Sequence, residues 1–263
     1  MIIRYDSTAA LRADYIAKRA KGSTEDRSWY GNESEADTLR LAEVGDTRLV
    51  PKAEALLSSL ETVIETPRKV WERSPAGAFC SVPDAIVGLP LSMRRQASVQ
   101  DDVAPITILA ITTSSAGIDA DVLARRGTTI LALVIALSRI RPVSLYQICA
   151  VHGKQDGETI ITSEINTHPL DLASACYVLT SAGFARRLTY GLARAHNDFN
   201  GMWPRAFDFR DPEPYYTALK PRLVADPSRC LIIGAAQLGD MLLNEPVKWL
   251  NNQIRRFTEQ EDA

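Results

Sequence analysis

The chain lacks the sequence features of several broad protein classes. No apolar run reaches the ~18 residues that a membrane-spanning helix requires, so we expect no membrane partner. The first residues, MIIRYDSTAALRADYIAKRAK, contain no apolar signal-peptide core, and we therefore expect a cytoplasmic protein. The formal net charge of −2 provides no basic excess to support general nucleic-acid binding.

Short motifs with a known chemistry are missing as well. The sequence has no GxxxxGK(S/T), GxGxxG or GxSxG motif, so no Walker A loop, dinucleotide-binding loop or nucleophile elbow is predicted. The four cysteines have no CxxC spacing: Cys80, Cys149, Cys176 and Cys230. Because three of them lie in apolar sequence, buried free thiols are favoured over metal ligands.

The chain has only three histidines, and their spacing predicts no metal site. His152, His168 and His196 show neither HxxxH nor HExxH spacing, even when nearby Asp171 or Asp198 is considered with them. We expect ordinary surface or loop histidines, with His196 at the C-terminal end of a helix, where positive charge is favourable. No cofactor is predicted.

The composition is that of a globular protein, and its clearest pattern lies between residues 105 and 153. Of 263 residues, 46% are hydrophobic and 24% are charged. Ile106 to Thr112 is a continuous apolar strand, Ala120 to Ile140 a helix that is apolar around much of its circumference, and Val143 to Val151 a second strand. This order predicts a strand–loop–helix–strand unit of an open, mainly parallel α/β sheet.

The remaining patterns divide the chain into two predicted parts. Residues 105–263 are expected to form the α/β domain and residues 1–104 an α+β extension packed against it. Further elements of the domain are predicted at Thr159 to Asn166, Asp171 to Asn197 with a break near Gly183, Arg229 to Ala235, and Asn244 to Glu259. The extension is predicted to contain helices at Ser7 to Lys21, Ser34 to Val44 and Pro51 to Thr66, strands at Lys69 to Arg73 and Ala78 to Val82, and a helical turn at Pro83 to Val87.

The loop after the first strand of the unit is the candidate binding site. Open α/β sheets bind ligands at the carboxyl ends of their strands. This loop consists of small and polar residues, with no carboxylate before Asp119, so it suggests contact with a ligand or partner protein and no catalysis. The residues proposed for that contact are Thr112, Ser114, Ser115 and Asp119. Two other interpretations stay open: a tight structural connection, or backbone N–H groups that bind an anion.

Several segments resemble an uncharacterised family encoded mainly by bacteriophages and related mobile elements. They are WYGNESEA (29–36), GAFCSVP (77–83) with GLPLSM (88–93), RGTTILAL (126–133) and NEPVKW (244–249). The resemblance implies a phage accessory protein in the host cytoplasm. It supplies no catalytic residue.

The central unit also resembles a von Willebrand factor A-like (vWA-like) domain. In that fold a central strand carries a DxSxS loop that holds a divalent cation, and the next helix packs on the sheet. Here the Asp position falls on Thr112, the first Ser on Ser114 and the second on Ala116. The anchoring carboxylate is absent, with only Asp119 or Asp240 as substitutes, so the resemblance implies a degenerate metal site and a protein–protein interaction module.

Two other functions remain as alternatives. A nucleic-acid-binding protein would use arginines that share one face: Arg125, Arg126, Arg139, Arg141, Arg186, Arg187 and Arg194. A hydrolase would pair Ser114 or Ser115 with His152, since such sites assemble through space. A segment rich in aromatics provides either interface anchors or a cover for the core: Trp203, Phe207, Phe209, Tyr215 and Tyr216. The oligomeric state is not predicted.

Overall fold

The computed structural model describes residues 1–18, 20–21, 26–60, 69–98, 105–152, 158–167, 169–197, 205–206 and 213–258. The strands are β1 (Ile2–Tyr5), β2 (Lys69–Ser74), β3 (Phe79–Cys80), β4 (Met93–Ser98), β5 (Ile106–Ile111), β6 (Val143–His152), β7 (Glu158–Ile165), β8 (Arg205–Ala206) and β9 (Cys230–Ile233). The helices are α1 (Thr8–Ala17), α2 (Glu35–Val44), α3 (Val50–Ser58), α4 (Val82–Ile86), α5 (Ala120–Ser138), α6 (Leu172–Thr180), α7 (Tyr190–His196), α8 (Glu213–Leu223), α9 (Met241–Asn244) and α10 (Pro246–Thr258). His168, Asp198, Trp203, Phe207, Phe209 and the 61–66 end of one predicted helix lie outside the described residues.

The main sheet has the order β1-β7-β6-β5-β9, and β8 pairs with the end of β6. β5 pairs in parallel with β6 and with β9, and β1 pairs in parallel with β7. β7 runs antiparallel to β6, to which a short connection joins it, as is usual for hairpins. The prediction of an α/β fold with a mainly parallel sheet is confirmed.

Helix α5 is the centre of the hydrophobic core. Its residues from Arg126 to Leu137 are all buried, which agrees with the apolar residues found around most of its circumference. It packs against α3, α6 and α10, while β5 and β6 supply the facing apolar side chains of the sheet. Because α5 is covered on several sides, it holds β5 and β6, the strands before and after it in the chain, in a fixed relative position.

The N-terminal segment contributes to the same core. β1 adds a strand to the main sheet, and Leu11, Tyr15, Leu41 and Ala53 belong to the cluster that contains the residues of α5. One core therefore includes side chains from both sides of the predicted boundary after residue 104. The boundary itself stays a prediction.

The long helix predicted from residue 171 to 197 is interrupted, as expected, near Gly183. α6 ends at Thr180, residues 184–189 form a π-helical stretch, and α7 follows directly. A Cβ atom on Gly183 would lie 2.2 Å from Oε2 of Glu33, so a larger residue here would displace the Glu33 carboxylate. π-helical turns are often found at functional sites, and this one carries Arg186 and Arg187.

A second, smaller sheet is formed by residues of the predicted extension, between 69 and 98. Its order is β2-β4-β3, all antiparallel, and α4 connects β3 to β4. Among the described residues, no helix is long and apolar enough to cross a membrane.

Candidate functional site

The candidate site lies where the loops after β5 and β9 meet. β5 continues through α5 to β6 on one side, while β9 lies on the other side of β5. The carboxyl ends of β5 and β9 therefore form a topological switch point, the usual ligand position in open α/β sheets. Ser114 and Ala236 form a parallel bridge beyond the two strands, which holds the loops together.

Thr112, the first predicted contact residue, faces the sheet interior. Its Oγ1 accepts a hydrogen bond from Nε2 of Gln147 at 2.9 Å and donates one to the carbonyl of Ile148 at 3.3 Å. The neighbouring Thr113 accepts the N–H of Ala150 at 2.8 Å. Both threonines are buried, so their hydroxyls join β5 to β6.

The other three predicted contact residues lie closer to solvent. Ser114 is half-buried, and its Oγ accepts a hydrogen bond from Nη2 of Arg186 at 3.4 Å. Ser115 is exposed, and its Oγ accepts the N–H of Gly117 at 3.4 Å. Asp119 is an exposed residue at the N-terminus of α5 whose carboxylate makes no capping hydrogen bond. Only this outer part of the predicted site is accessible to a partner.

Beneath the loops, the guanidinium group of Arg126 joins the ends of the two strands. Nη1 donates to the carbonyl of Ile111 at 3.2 Å, and Nη2 donates to the carbonyl of Gly234. Burial lowers the pKa of Arg126 to about 10, although the nearby carboxylate of Asp240 opposes this. The group therefore stays charged at neutral pH, within a site assembled from residues far apart in the sequence.

Arg186 is a second buried arginine on the other side of the same loop. It donates to the carbonyl of Trp29 at 2.8 Å and to the carbonyl of Ile118, and it stacks 4.8 Å from the centre of the Trp29 ring. Burial lowers the pKa of Arg186, and the carboxylate of Asp119 opposes this. Because Arg186 binds both the 26–34 segment and the loop after β5, it fixes the loop from below.

The segment Trp29–Glu33 is held by a cluster of buried polar groups. Arg187 stacks 3.8 Å from the centre of the Tyr30 ring and donates to the carbonyl of Glu33 at 3.2 Å. The Glu33 carboxylate accepts hydrogen bonds from Ser181 at 2.8 Å and from Tyr177 at 3.0 Å. Burial raises the pKa of Glu33 and outweighs these hydrogen bonds, which lower it. The Glu33 carboxylate and the Tyr177 and Ser181 hydroxyls thus find local partners, as is typical of a structural cluster.

The residues of the loop do not fit a divalent cation. At two of the three positions that match the DxSxS pattern, no free metal ligand is present. The Thr112 hydroxyl is already hydrogen-bonded to Gln147, and Ala116 has only a methyl group. The cation already present at the switch point is the guanidinium of Arg126, which repels a metal ion. In the described part of the chain, no three His, Cys, Asp or Glu side chains lie close enough to share a metal.

The described hydrogen bonds of the two serines do not involve a histidine. Ser114 is bound by Arg186 and Ser115 by the N–H of Gly117. His152 is the last residue of β6. The hydrolase alternative therefore gains no support from the contacts of these serines.

Four of the seven arginines considered for nucleic-acid binding are buried: Arg126, Arg141, Arg186 and Arg187. Each donates to at least one backbone carbonyl group. Arg125 and Arg139 are exposed but lie near opposite ends of α5, about 21 Å apart along the helix. These seven residues therefore do not form one basic face.

His196 takes part in a polar cluster that connects three elements. It is the last residue of α7, as predicted, and its Nε2 lies 2.7 Å from Oδ2 of Asp14. The hydroxyl of Tyr5 donates to the same oxygen at 2.5 Å. Burial tends to raise the pKa of Asp14, but the hydrogen bonds from Tyr5 and His196 outweigh it and hold that pKa below its usual value. The cluster connects β1 and α1 to α7.

This cluster predicts a loss of stability in acid. A carboxylate with a lowered pKa in the folded state stabilises the fold above its unfolded pKa, about 3.9, and loses this contribution as the pH falls through the folded pKa. We expect Asp14→Asn to be less stable than the wild type at pH 6 and the difference to shrink steadily towards pH 2. Urea unfolding across this range measures it. A difference that is independent of pH would contradict the assignment.

The cysteines are free, and three of the four are buried, as their apolar surroundings suggest. Cys149, Cys176 and Cys230 lie in the interior, whereas Cys80 is exposed on β3. Burial raises the pKa of Cys149 to about 11, so this thiol is protonated and unreactive at neutral pH.

Comparison with protein families identifies a related domain. Residues 1–209 match a family model described as a domain of unknown function, DUF7192. No curated protein and no solved structure matches the chain. The matched range includes the 29–33 cluster, β5, Arg126 and Arg186, but β9 lies beyond it. Since the match covers most of its length, this chain belongs to the DUF7192 family.

Proposed function

We propose that this protein is a non-enzymatic binding module that contacts another protein through the loops 112–119 and 234–240. The observation that carries the proposal is that both loops are open to solvent at the switch point of the sheet. A Cβ atom on Gly117 or on Gly239 would have no neighbour within 4 Å, and Leu238 is 66% exposed. Rigid strands that present accessible loops are the common arrangement of binding sites.

A vWA-like architecture with a degenerate metal site is part of this proposal. It is supported by the position of β5 inside the sheet, by the loop that follows it and by the packing of α5 on the sheet. The positive charge of Arg126 replaces the metal ion as the group that joins the strand ends, so binding to the partner needs no divalent cation. Thr112 supports the loop from within, and Ser114, Ser115 and Asp119 contact the partner.

The proposed biological setting is a phage-type accessory protein in the host cytoplasm. It rests on the sequence resemblance of the segments described above. In such a setting the partner is a protein of the phage or of the host cell.

The experiment is affinity capture from the native host, with and without nuclease, followed by mass spectrometry. We expect a protein partner that survives nuclease and chelation by EDTA and that is lost from the variant Leu238→Asp. Ile16→Asp is the matched control, because Ile16 is also an exposed apolar residue, at 48%, but lies on α1. A partner lost equally from both variants, or only after chelation, would contradict the proposal.

Capture that depends wholly on nucleic acid would favour the alternative function. In that case binding would fall steeply with salt concentration, since phosphate contacts release counterions. Arg125→Glu would then weaken binding, because Arg125 is one of the exposed arginines.

A further inference from the structure

The small sheet formed by β2, β4 and β3, together with α4, leaves most of its described apolar side chains exposed. Its strands pair only with one another in the described part of the chain. Among the side chains described from residue 73 to 95, none that is apolar is buried. Isolated small sheets need a hydrophobic face packed against something to be stable. Six large hydrophobic side chains of this unit lie in solvent instead.

Among the residues that the structure describes, the exposed large hydrophobic side chains are concentrated in this unit. Six of its large hydrophobic side chains are between 45% and 81% exposed: Phe79, Val82, Ile86, Val87, Leu89 and Leu91. They fall within 13 consecutive residues, on β3, on α4 and in the turn that follows α4. We call these six residues the apolar patch. Six exposed apolar side chains this close along the chain favour an interaction surface.

The chain segment that carries the apolar patch has a positive formal charge. Residues 69–98 include four basic and two acidic residues, a formal charge of +2 in a chain whose total is −2. Phe79 is paired with Arg94 across β3 and β4, and Arg73 is paired with Arg94 across β2 and β4. Directly opposite residues point to the same side of a sheet, so an aromatic ring and two guanidinium groups lie in one row.

Among the side chains described from residue 73 to 95, only one carboxylate offsets the positive charge of Arg73 and Arg94. Asp84 on α4 forms an ion pair with Arg73 at 3.3 Å, and Arg94 is exposed. Like charges directly opposite one another in a sheet are destabilising, so an added carboxylate near Arg94 would be favourable. The surface therefore combines exposed apolar side chains with a positive charge that a carboxylate of a partner would stabilise.

We propose that the apolar patch and Arg94 bind an amphipathic segment of a partner protein that carries apolar and acidic side chains. A second copy of this chain is disfavoured, because a symmetric contact would bring Arg94 against the same positive surface. The surface shares no residue with the loops 112–119 and 234–240, so this proposal does not depend on the function proposed above.

Two labelled synthetic peptides test the proposal. They share the same leucines at helical spacing and differ only in having glutamates or lysines on the polar face. We expect fluorescence anisotropy with the full chain to show binding of the glutamate peptide and none of the lysine peptide. Binding of both peptides equally, or no binding of the glutamate peptide, would overturn the proposal.

Three variants locate the binding site. The double variant Ile86→Asp with Val87→Asp and the single variant Arg94→Glu are each expected to weaken binding of the glutamate peptide at least tenfold. Both changes are at exposed positions, and an unchanged melting temperature confirms that the fold is retained. Ile16→Asp on α1 is the control and is expected to bind the peptide as the wild type does. Equal weakening by all three would overturn the assignment.

Two further measurements separate the other occupants of this surface. Sedimentation equilibrium reports whether the chain dimerises through the apolar patch, and flotation with vesicles containing anionic lipid reports membrane binding. Dimerisation that is lost in the Ile86→Asp, Val87→Asp variant would show that a second copy of the chain covers the patch. Vesicle binding that is lost in the same variant would show that a membrane does. Either result would overturn the proposed protein partner.

Discussion

Replacement of Arg126 by alanine is expected to lower the free energy of unfolding by about 3–5 kcal/mol, because two buried carbonyl groups lose a donor, at about 1–3 kcal/mol each, and a cavity remains. The change leaves the carbonyl groups of Ile111 and Gly234 without their donor and creates a cavity between β5 and β9. Since these carbonyls lie at the ends of the two strands, we also expect the loops that follow to lose their fixed position. Urea unfolding gives the first quantity, and hydrogen exchange of residues 112–119 and 234–240 gives the second.

Two controls show whether the effect belongs to the guanidinium group. Arg125 is the exposed neighbour of Arg126 in the same helix, and Arg125→Ala should change stability by no more than about 0.5 kcal/mol. Arg126→Met keeps most of the side-chain volume but removes the donors, so it should remain clearly less stable than the wild type. If Arg126→Ala behaved like Arg125→Ala, the proposed connection between the strand ends would be wrong.

Replacement of Gly127 by alanine is expected to cost about 3 kcal/mol, at the upper end of what overpacking usually costs. A Cβ atom at this position would lie 2.0 Å from the carbonyl oxygen of Leu179 and 2.8 Å from Cα of Thr180. These are backbone atoms of α6, so the clash is relieved only if α5 and α6 separate. This packing cost exceeds the gain of about 1 kcal/mol that alanine normally brings to a helix interior.

Gly117 provides the matched control for this substitution. It lies in the loop after β5, a Cβ atom there meets nothing within 4 Å, and its φ is not in the left-handed region. Gly117→Ala should therefore leave the melting temperature within a degree or two of the wild type. Equal losses for the two variants, measured by thermal unfolding, would show that the contact between α5 and α6 is looser than described.

The central elements of the fold were predictable, because each carries its own pattern of apolar residues. β5, α5, β6 and β9 lie where continuous apolar runs and a helical pattern indicated. β1 and β4 were not predicted. β1 has only four residues and is defined by its pairing with β7, 158 positions away. β4 carries two consecutive arginines that hide its alternation. α8 was missed because its prolines and aromatic residues resemble a linker.

The candidate site was predicted only in outline. The loop after β5 does lie at the carboxyl end of an interior strand, but its first residue, Thr112, faces inward to Gln147. The sequence analysis missed the structural role of the buried arginines. A single arginine in a sequence predicts a solvated side chain, and nothing local shows that Arg126 and Arg186 lie within reach of unpaired carbonyl groups.

The sequence by itself determined the class of fold, the position of the interior strands and the absence of several common catalytic motifs. These properties depend on which residues neighbour one another along the chain, through apolar periodicity and motif spacing. Only the tertiary structure decided which charged groups are buried and what they bind. Arg126 contacts Ile111 and Gly234, 15 and 108 positions away. Such contacts depend on the three-dimensional arrangement of strand ends, because a backbone carbonyl attracts a cation in the same way whatever its side chain.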